Sequence, residues 1–475
     1  MKKFLLVICL LWAALRGFSQ QFSQYNTGTL YDSFENPAEH AFVPDTSKTY
    51  AFNFLVPNMN ANFFIRGDAQ TSLMTRAFSG YYNNTALKIG SGQNNYVDAN
   101  ANAYFLMFKL FSSLKGNSEL GFFLETKSEG HGVFTDESIA LFNGPGAFPN
   151  NNYDNIFNNH YNYQIYDAVG FTYREDVTKR FSLGFKLSYL MGVDYNKLDI
   201  YESHISFDKF NDAATLSLQG RYYQSRGPGN FDRRSFLLSN RSPGAQISLG
   251  ATYKNDDDVT FQANLKDLGF IHWYNFSTTS NFNASETITG LTTLKREDSI
   301  YNQYSRIVQS RRELGSFSSA TDAKFELSAT KSYWLDDDRM FKYSPTLIAS
   351  KEMWYSGFTG ALVNRFQYDN YYNFSLVTAY NNFNIFNVGA QLMYRNYNWE
   401  AYIGSEQLFQ TVKFVGATKN GSPYSNGQST GADFFLGFSI KFGPIVEHPM
   451  NASTIPTGEK GFIGRLWSRL FKTYR

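Results

Sequence analysis

Residues 181–190, FSLGFKLSYL, alternate apolar and polar side chains with a period of two. The odd-numbered positions from Phe181 to Tyr189 are all large and apolar, whereas the even positions between them are Ser182, Gly184, Lys186 and Ser188. Because successive side chains of a strand point to opposite faces, this stretch predicts a β-strand with one apolar and one polar face. Its length matches the ~9–11 residues that a tilted strand needs to cross a bilayer.

The same alternation recurs along the chain. It is clear in residues 214–222, 245–254, 259–266 and 432–442, and weaker runs bring the candidate strands to about fifteen. Short acidic or polar connectors such as 255–258 join several of them, whereas 127–164 and 276–321 are long and rich in Asn, Gly and Ser. Short turns at one end and long loops at the other are typical of an outer-membrane barrel, with the long loops outside the cell.

Composition favours the same class of protein. Aromatic residues make up 18% of the chain, with 46 Phe and 33 Tyr, and aromatics cluster near strand ends as interfacial girdles do. No long apolar run follows the N-terminus, which excludes helical membrane spans. A secreted β-sandwich array or a propeller is the alternative, but a repeat of ~40–50 residues is not evident. We therefore predict an all-β, transmembrane antiparallel barrel.

The first twenty residues, MKKFLLVICLLWAALRGFSQ, have the pattern of a secretory signal peptide. Lys2 and Lys3 precede an apolar core too short to be a stable span. Cys9, the single cysteine, lies within that core, so the mature chain is expected to hold no disulfide, thiolate metal site or cysteine nucleophile. Removing three of the 43 basic residues leaves 40 against 41 acidic ones, and this net charge of −1 argues against nucleic-acid binding.

Charged residues on the polar faces of candidate strands are predicted to line the barrel lumen. A Lys or Arg facing lipid near the midplane would cost ~2–4 kcal/mol, whereas a lumen keeps it solvated or paired. On this basis the predicted lumen-lining residues are Lys186, Arg221, Lys254, Lys324 and Glu326.

Catalytic and metal-binding patterns are weak. The six histidines are scattered without ligand spacing, the acidic runs 256–258 and 336–338 suit hairpin turns better than calcium loops, and no nucleophile elbow or phosphate-binding loop occurs. We predict no enzyme activity, no metal and no cofactor. An active site assembled inside the barrel from distant residues remains the third-ranked alternative.

The C-terminus extends beyond a closing strand that ends at Phe442. Three prolines punctuate the following linker, and the residues after it predict a basic amphipathic helix. Its apolar face consists of Phe462, Ile463, Leu466, Trp467, Leu470 and Phe471. Such a helix suits a membrane surface or a groove on a protein partner. A helix folded back to close the periplasmic mouth is an equal alternative.

Two stretches resemble a known group of proteins. ENPAEHAF (35–42) resembles the Asn-Pro-Ala hatch motif of FadL-like outer-membrane proteins, and LKDLGFIHW (265–273) resembles a segment of an uncharacterised barrel family of the Bacteroidetes phylum. The resemblance implies a barrel of about 14 strands, with Asn36, Pro37 and Ala38 in an N-terminal hatch, and uptake of hydrophobic molecules. It also relates the chain to PorV-type barrels of type IX secretion. Locally, Asn36 is expected to cap a helix that begins at Pro37.

The predicted organisation is a signal peptide (1–20), a hatch or plug (21–46), an outer-membrane barrel (47–443) and a periplasmic linker with the amphipathic helix (444–475). The predicted function is passive transport of a small hydrophobic molecule. The alternative is a non-transporting interaction or scaffold barrel for a secretion or envelope complex, with a protein partner bound through the C-terminal tail. In both cases the barrel sits in outer-membrane lipid.

Overall fold

The structure, a computed structural model, describes residues 22–43, 45–83, 85–112, 117–226, 242–274, 276–354, 358–381, 386–420, 430–447 and 461–470. The predicted signal peptide and Phe471 lie outside these residues. The first ten strands are β1 (Lys48–Arg66), β2 (Asn94–Ser112), β3 (Ser118–Thr135), β4 (Asn152–Asp154), β5 (His160–Asp176), β6 (Phe181–Asp208), β7 (Ala213–Gln224), β8 (Pro243–Lys254), β9 (Val259–Trp273) and β10 (Thr278–Thr289).

Ten further strands follow in the second half of the chain. They are β11 (Arg312–Leu314), β12 (Phe317–Ala320), β13 (Lys324–Lys331), β14 (Tyr333–Trp334), β15 (Phe341–Glu352), β16 (Phe358–Tyr368), β17 (Tyr372–Asn381), β18 (Phe386–Arg395), β19 (Trp399–Ser405) and β20 (Gly431–Ile445).

Fourteen of these strands form a closed antiparallel barrel. The order around it is β1, β2, β3, β5, β6, β8, β9, β13, β15, β16, β17, β18, β19 and β20. Strand β20 pairs back with β1, so the barrel has no free sheet edge. The fold class predicted from the sequence is confirmed.

Helices are few in the described residues. The α-helices are Leu30–Glu35, Gln70–Ser79, Asp136–Ala140, Arg296–Val308, Leu408–Asn420 and Phe462–Leu470. Within the described part of the chain, none of them has the length and apolarity that a membrane-crossing helix requires. The first lies inside the barrel and the last is the predicted C-terminal helix.

The two ends of the barrel differ in their connections. At one end, here called the short-turn end, tight turns such as 255–258 and 369–371 join neighbouring strands. At the opposite, long-loop end the connections include residues 67–93, 136–159 and 406–430. Exposed aromatics lie near both ends of the wall, as Tyr372 and Tyr380 do at the two ends of β17. The unequal connections at the two ends are the asymmetry expected of a membrane barrel, and aromatics at both ends match its interfacial girdles.

The barrel wall faces its polar side chains inward. On the first half of β6, Lys186 is 1% exposed, whereas its outward neighbours Leu187 and Tyr189 are 37% and 45% exposed. Similar exposed leucines and phenylalanines recur around the wall, among them Phe171, Leu249, Phe261, Leu327, Leu362, Phe374, Leu392 and Phe434. The wall thus carries the outward apolar band that a bilayer requires.

The second half of β6 continues beyond the barrel wall at the long-loop end, where it forms part of an additional sheet that is continuous with the wall. It pairs with β7, and β7 pairs with β10. This sheet, here called the extension, has its own buried apolar cluster, which includes Leu198, Ile205, Leu216, Leu218, Phe282 and Ile300. The expectation that 214–222 is a barrel strand is therefore wrong, and the predicted long loop 276–321 contains β10, β11, β12 and a helix.

One irregular seam interrupts the wall. Between Phe52 and Met59, strand β1 is longer than the stretch of β20 opposite it, so the ladder slips. The β1–β2 ladder also slips, between Phe54 and Asn58, and beside this slip Asn53 donates to the Tyr104 carbonyl of β2 (3.1 Å) and accepts from the Met107 amide (2.6 Å). Asn58 donates to the Phe438 carbonyl at 3.2 Å. Side-chain amides thus satisfy backbone groups that would be costly to leave unpaired in lipid.

Candidate functional site

Residues 22–43 lie in the barrel lumen without joining the sheet, and we call them the hatch. The hatch helix Leu30–Glu35 begins at Thr29, whose hydroxyl accepts from the Asp32 amide at 3.0 Å, while the Asp32 carboxylate accepts from the Thr29 amide at 3.2 Å. This reciprocal capping box satisfies amides that the first turn leaves free. The sequence signal for it is the Thr-x-x-Asp spacing.

The Asn-Pro-Ala motif follows the hatch helix and does not start one. Asn36 is the C-cap of the helix, and its carbonyl accepts from the Glu39 amide at 2.9 Å. Its side-chain oxygen accepts from the Ala38 amide at 3.2 Å. The motif is therefore a tight Asx-type turn, and the expectation of a helix beginning at Pro37 is wrong because the side chain of Asn36 bonds into a turn.

Glycines of the wall make room for this turn. A Cβ atom built on Gly184 would lie 2.0 Å from the Pro37 carbonyl oxygen, and one on Gly250 would lie 2.9 Å from the Ala38 Cβ. Real Cβ atoms do not approach so closely, so a side chain at either glycine would require the turn to shift. The turn at Asn36, Pro37 and Ala38 is thus seated against the wall by backbone contact.

Aromatic contacts fix the body of the hatch. Phe22 stacks on Phe435 with ring centroids 4.1 Å apart, and it stacks on Tyr31 of the hatch at 4.9 Å. Phe34 packs against Phe123 of β3 at 5.7 Å. All of these side chains are at most 2% exposed. The hatch therefore fills the cross-section of the lumen.

The two stretches that carry the sequence resemblance meet in the lumen. Glu35 begins the first stretch, and its carboxylate is in contact with the ammonium of Lys266 in the second. The neighbouring Asp267 has a positive φ of 59° at a slip in the β8–β9 ladder, and its carboxylate pairs with Lys127 of β3. A contact between regions so far apart in the chain is invisible in a single sequence.

Three of the five predicted lumen residues lie in the lumen. Lys186 donates to Glu125 at 3.0 Å and to the Tyr104 hydroxyl at 2.7 Å. Lys324 is 3.7 Å from Glu352. Glu326 accepts from Gln24 of the hatch at 2.9 Å, so one wall carboxylate also holds the hatch.

The other two predicted lumen residues lie elsewhere. Arg221 is exposed on β7, a strand of the extension, and therefore faces solvent. The side chain of Lys254 is 54% exposed at the short-turn end, where it pairs with Asp258 at 2.8 Å. Both predictions are wrong because alternation identifies a polar face but not the surface that the face meets.

Sequence reasoning missed the charges that anchor the hatch near the short-turn end. Lys109 and Arg174 lie on the wall, are fully buried, and surround the Glu119 carboxylate at 3.2 Å and 3.9 Å. Glu119 in turn accepts from the Ala41 amide of the hatch at 3.2 Å, and Arg174 donates to the Ala38 carbonyl at 3.0 Å. Lys109 and Arg174 sit on polar strand faces, which is the one sequence signal that they offer.

The acidic side chains of the hatch have shifted pKa values. Burial raises the pKa of Asp32 to about 6, although hydrogen bonds from Thr27 and Thr29 oppose the rise. Burial also raises the pKa of Glu39, and the nearby Asp32 carboxyl adds to the effect. Burial opposes ionisation of Glu35 as well, but Lys266 and other lysines lower its pKa well below the usual range. The hatch therefore combines one carboxyl group whose pKa is lowered with two whose pKa values are raised.

Two polar cavities adjoin the hatch. A small cavity of ≈ 60 Å³ lies among Asn62, Asn100, Asn102, Lys127, Glu129 and Lys266. A larger one of ≈ 550 Å³, which we call the vestibule, opens toward the short-turn end. Its lining includes hatch residues 26–28, wall hydroxyls such as those of Thr252 and Thr330, and the cations Lys342, Arg365 and Arg395.

The C-terminal helix docks at the short-turn end. The Glu175 carboxylate accepts from the Ile463 and Gly464 amides at 2.8 Å and 2.9 Å, and the Trp467 ring lies 5.4 Å from that of Phe181. Phe462 and Leu466 remain 62% and 48% exposed. The helix ends at Leu470. It thus rests on the barrel rim with part of its predicted apolar face uncovered.

Comparison with known proteins gives one family match. A family described as "Family of unknown function (DUF5723)" matches residues 41–406. None of the curated proteins compared with the chain matches it.

Solved structures resemble the chain at low similarity. A FadL homologue of Pseudomonas aeruginosa has a TM-score of 0.42 and 10% identity over 90% of this chain and 99% of its own. The P. putida toluene transporter TodX has a TM-score of 0.39 and 9% identity over 88% and 95%. The TodX deltaS2S3 mutant monoaromatic hydrocarbon channel has a TM-score of 0.43 and 8% identity over 86% and 93%.

Proposed function

The chain belongs to a family of unknown function, and we propose that it is an outer-membrane barrel whose hatch controls passive passage of small molecules. The outward apolar band and the unequal ends support the location, and the export signal predicted from residues 1–20 agrees with it. We assign the short-turn end to the periplasm. We propose no catalytic role.

One observation carries the proposal of a gate. The hatch occupies the lumen between two cavities, yet it is bound by side-chain and turn contacts and shares no strand ladder with the wall. A segment held in this way can leave its seat without unzipping the barrel, because the fourteen-strand ladder closes without it.

The cargo we propose departs from the hydrophobic molecule expected from the sequence. Most of the residues that line the two cavities beside the hatch carry amide, hydroxyl or charged side chains. An apolar solute would gain little there, since it would displace water from groups that need hydrogen bonds. A small polar solute suits this lining better.

A disulfide that locks the hatch tests the gate. The mature chain is expected to have no other cysteine, and Ala38 and Gly250 are close enough for a bridge after a small shift. We expect liposomes with oxidised Ala38→Cys/Gly250→Cys to exclude arabinose, and dithiothreitol or deletion of 22–43 to admit it. Each single-cysteine variant is the control. Uptake of a hydrophobic dye instead of arabinose would restore the hydrophobic cargo.

A second candidate function is an interaction or scaffold barrel for an envelope complex, related to PorV-type barrels. The uncovered Phe462 and Leu466 on the docked C-terminal helix favour it. If neither hatch deletion nor reduction admits any solute, this role replaces transport. A cross-linked periplasmic partner that is lost in Phe462→Ala/Leu466→Ala, while the barrel stays folded, would then support it.

A further inference from the structure

We propose that the vestibule binds an oxyanion group, a phosphate or a carboxylate, on Arg365 and Arg395, and that this binding loosens the hatch. The inference rests on the proposed gate and names the chemistry that acts on it. It follows from the charge of the cavity, from the partners of the two arginines, and from the hatch segment that they hold.

Arg365 is a buried cation without a carboxylate partner. It is 8% exposed on β16, and no acidic oxygen of the described residues lies within 4.0 Å of its guanidinium. It donates to the Asn26 carbonyl of the hatch, while its Nε has no hydrogen-bond partner among the described residues. Buried charges are normally paired, since an unpaired one is costly. A guanidinium facing a polar cavity is well suited to bind an oxyanion through two parallel hydrogen bonds.

Arg395 adds a second guanidinium to the same cavity. It donates to the Thr27 carbonyl, the next residue of the hatch, and its Nε lies 3.6 Å from Glu400. Lys342 contributes a third cation, whereas the acidic side chains of the lining are Glu39 and Asp369. With three cations against two acidic side chains, the lining has a net positive charge, and burial raises the pKa of Glu39, which further favours its neutral form.

Hydroxyl and amide groups complete the lining. Thr252, Thr260, Thr330, Ser332 and Gln262 surround the cavity and supply neutral donors of the kind that hold the remaining oxygens of a phosphate. The volume of ≈ 550 Å³ exceeds that of one anion, so a larger solute bearing an oxyanion group also fits.

The same two arginines hold the turn of the hatch that faces the vestibule. Asn26 and Gly28 both have positive φ values, 55° and 64°, and this tight turn aims two successive carbonyls at the two guanidinium groups. Each arginine donates to one neutral hatch carbonyl, whereas a guanidinium can form two parallel hydrogen bonds with an oxyanion and also gains the attraction between opposite charges. An oxyanion between the arginines therefore competes with the hatch carbonyls and releases residues 26–28.

The test uses the full-length protein in detergent with sodium phosphate or sodium succinate, against sodium chloride at equal ionic strength. We expect saturable binding of phosphate or succinate by calorimetry and at least tenfold faster amide exchange in residues 22–43. Arg365→Gln and Arg395→Gln should weaken binding at least tenfold, and Arg365→Lys, which keeps the charge, should weaken it less. Arg221→Gln, on the extension, is the matched control.

Three results would overturn the inference. They are equal effects of chloride, unchanged binding in both glutamine variants, and an equal loss in Arg221→Gln. Folding of Arg365→Gln is checked by comparing the gel mobility of heated and unheated samples. If this variant does not fold, binding by Arg365→Lys and Arg395→Gln tests the inference. Arabinose passage that depends on the hatch but not on phosphate would reject this inference alone. Anion binding without any solute passage would reject the proposed gate and leave the anion site standing.

Discussion

The barrel wall and the extension are built from the same alternating pattern but bury opposite faces. Strand β6 contains both: on its inward face Lys186 is buried in the first half, whereas Leu198 and Ile200 are buried in the second. The wall meets lipid and keeps polar groups around the hatch. The extension meets water and packs its apolar side chains under the helix Arg296–Val308. Environment, not pattern, decides which face turns inward.

The largest difference between the two regions should appear when one charged side chain is removed from each of them. Lys186→Met leaves the buried Glu125 with only Lys127, 3.9 Å away, and should cost about 3–5 kcal/mol because an uncompensated charge remains. Arg221→Met, on the exposed face of the extension, should change the free energy of unfolding by less than about 0.5 kcal/mol. Urea unfolding in lipid vesicles measures both. Equal costs would break the distinction between the regions.

The next effect tests whether the extension has a core of its own. Leu218 is 2% exposed in its apolar cluster, so Leu218→Ala should destabilise the extension by about 2–4 kcal/mol. Hydrogen exchange should rise in β7 and β10 and stay unchanged in β16 and β17. Ser217→Ala, the outward neighbour, serves as the control. Faster exchange throughout the barrel would mean that the two regions unfold as one unit.

These contrasts show which features of the fold can be predicted from the sequence. Period-two alternation and turn spacing predicted the strands of the barrel, and the helical spacing of apolar residues predicted the terminal helix, because both are local patterns. Alternation alone could not distinguish the lipid-facing Leu187 from the core residue Leu218, because each of them lies between two polar residues. It therefore placed Arg221 in the lumen.

The hatch contacts lay beyond local reasoning for a different reason. Glu35 and Lys266 are adjacent in space but lie in stretches more than two hundred residues apart. Asn36 looked like the start of a helix because Pro37 suits a first turn, yet the capping box at Thr29 had already placed the helix before it. The Thr-x-x-Asp spacing of Thr29 and Asp32 is the sequence signal for the correct start of this helix.

A smaller effect is a pH dependence of amide exchange that we expect in the hatch and not in the extension. Burial raises the pKa of Asp32 from 3.8 to about 6, so the docked hatch binds a proton more readily than the free one. The contribution of Asp32 to docking is then fully present below pH 4, and roughly 2–3 kcal/mol of it is lost as pH rises through 6. We expect exchange in 22–43 to quicken over this range and Asp32→Asn to flatten the change. After correction for the intrinsic exchange rate, β7 amides should show no such step. A step of equal size in β7 would mean that the pH dependence comes from the overall charge of the protein and not from Asp32.

The smallest effect concerns the other end of the barrel. Glu175 accepts from two amides at the start of the helix Phe462–Leu470, and its negative charge also suits the positive N-terminus of the helix dipole. Glu175→Gln keeps the shape but loses the charge and one acceptor oxygen, so docking should weaken by about 1 kcal/mol. The Trp467 emission should shift to the red and exchange in 462–470 should rise, while Glu202→Gln on the extension changes neither. If Glu175→Gln leaves both signals unchanged in vesicles of anionic lipid, the membrane surface, rather than the barrel rim, holds this helix.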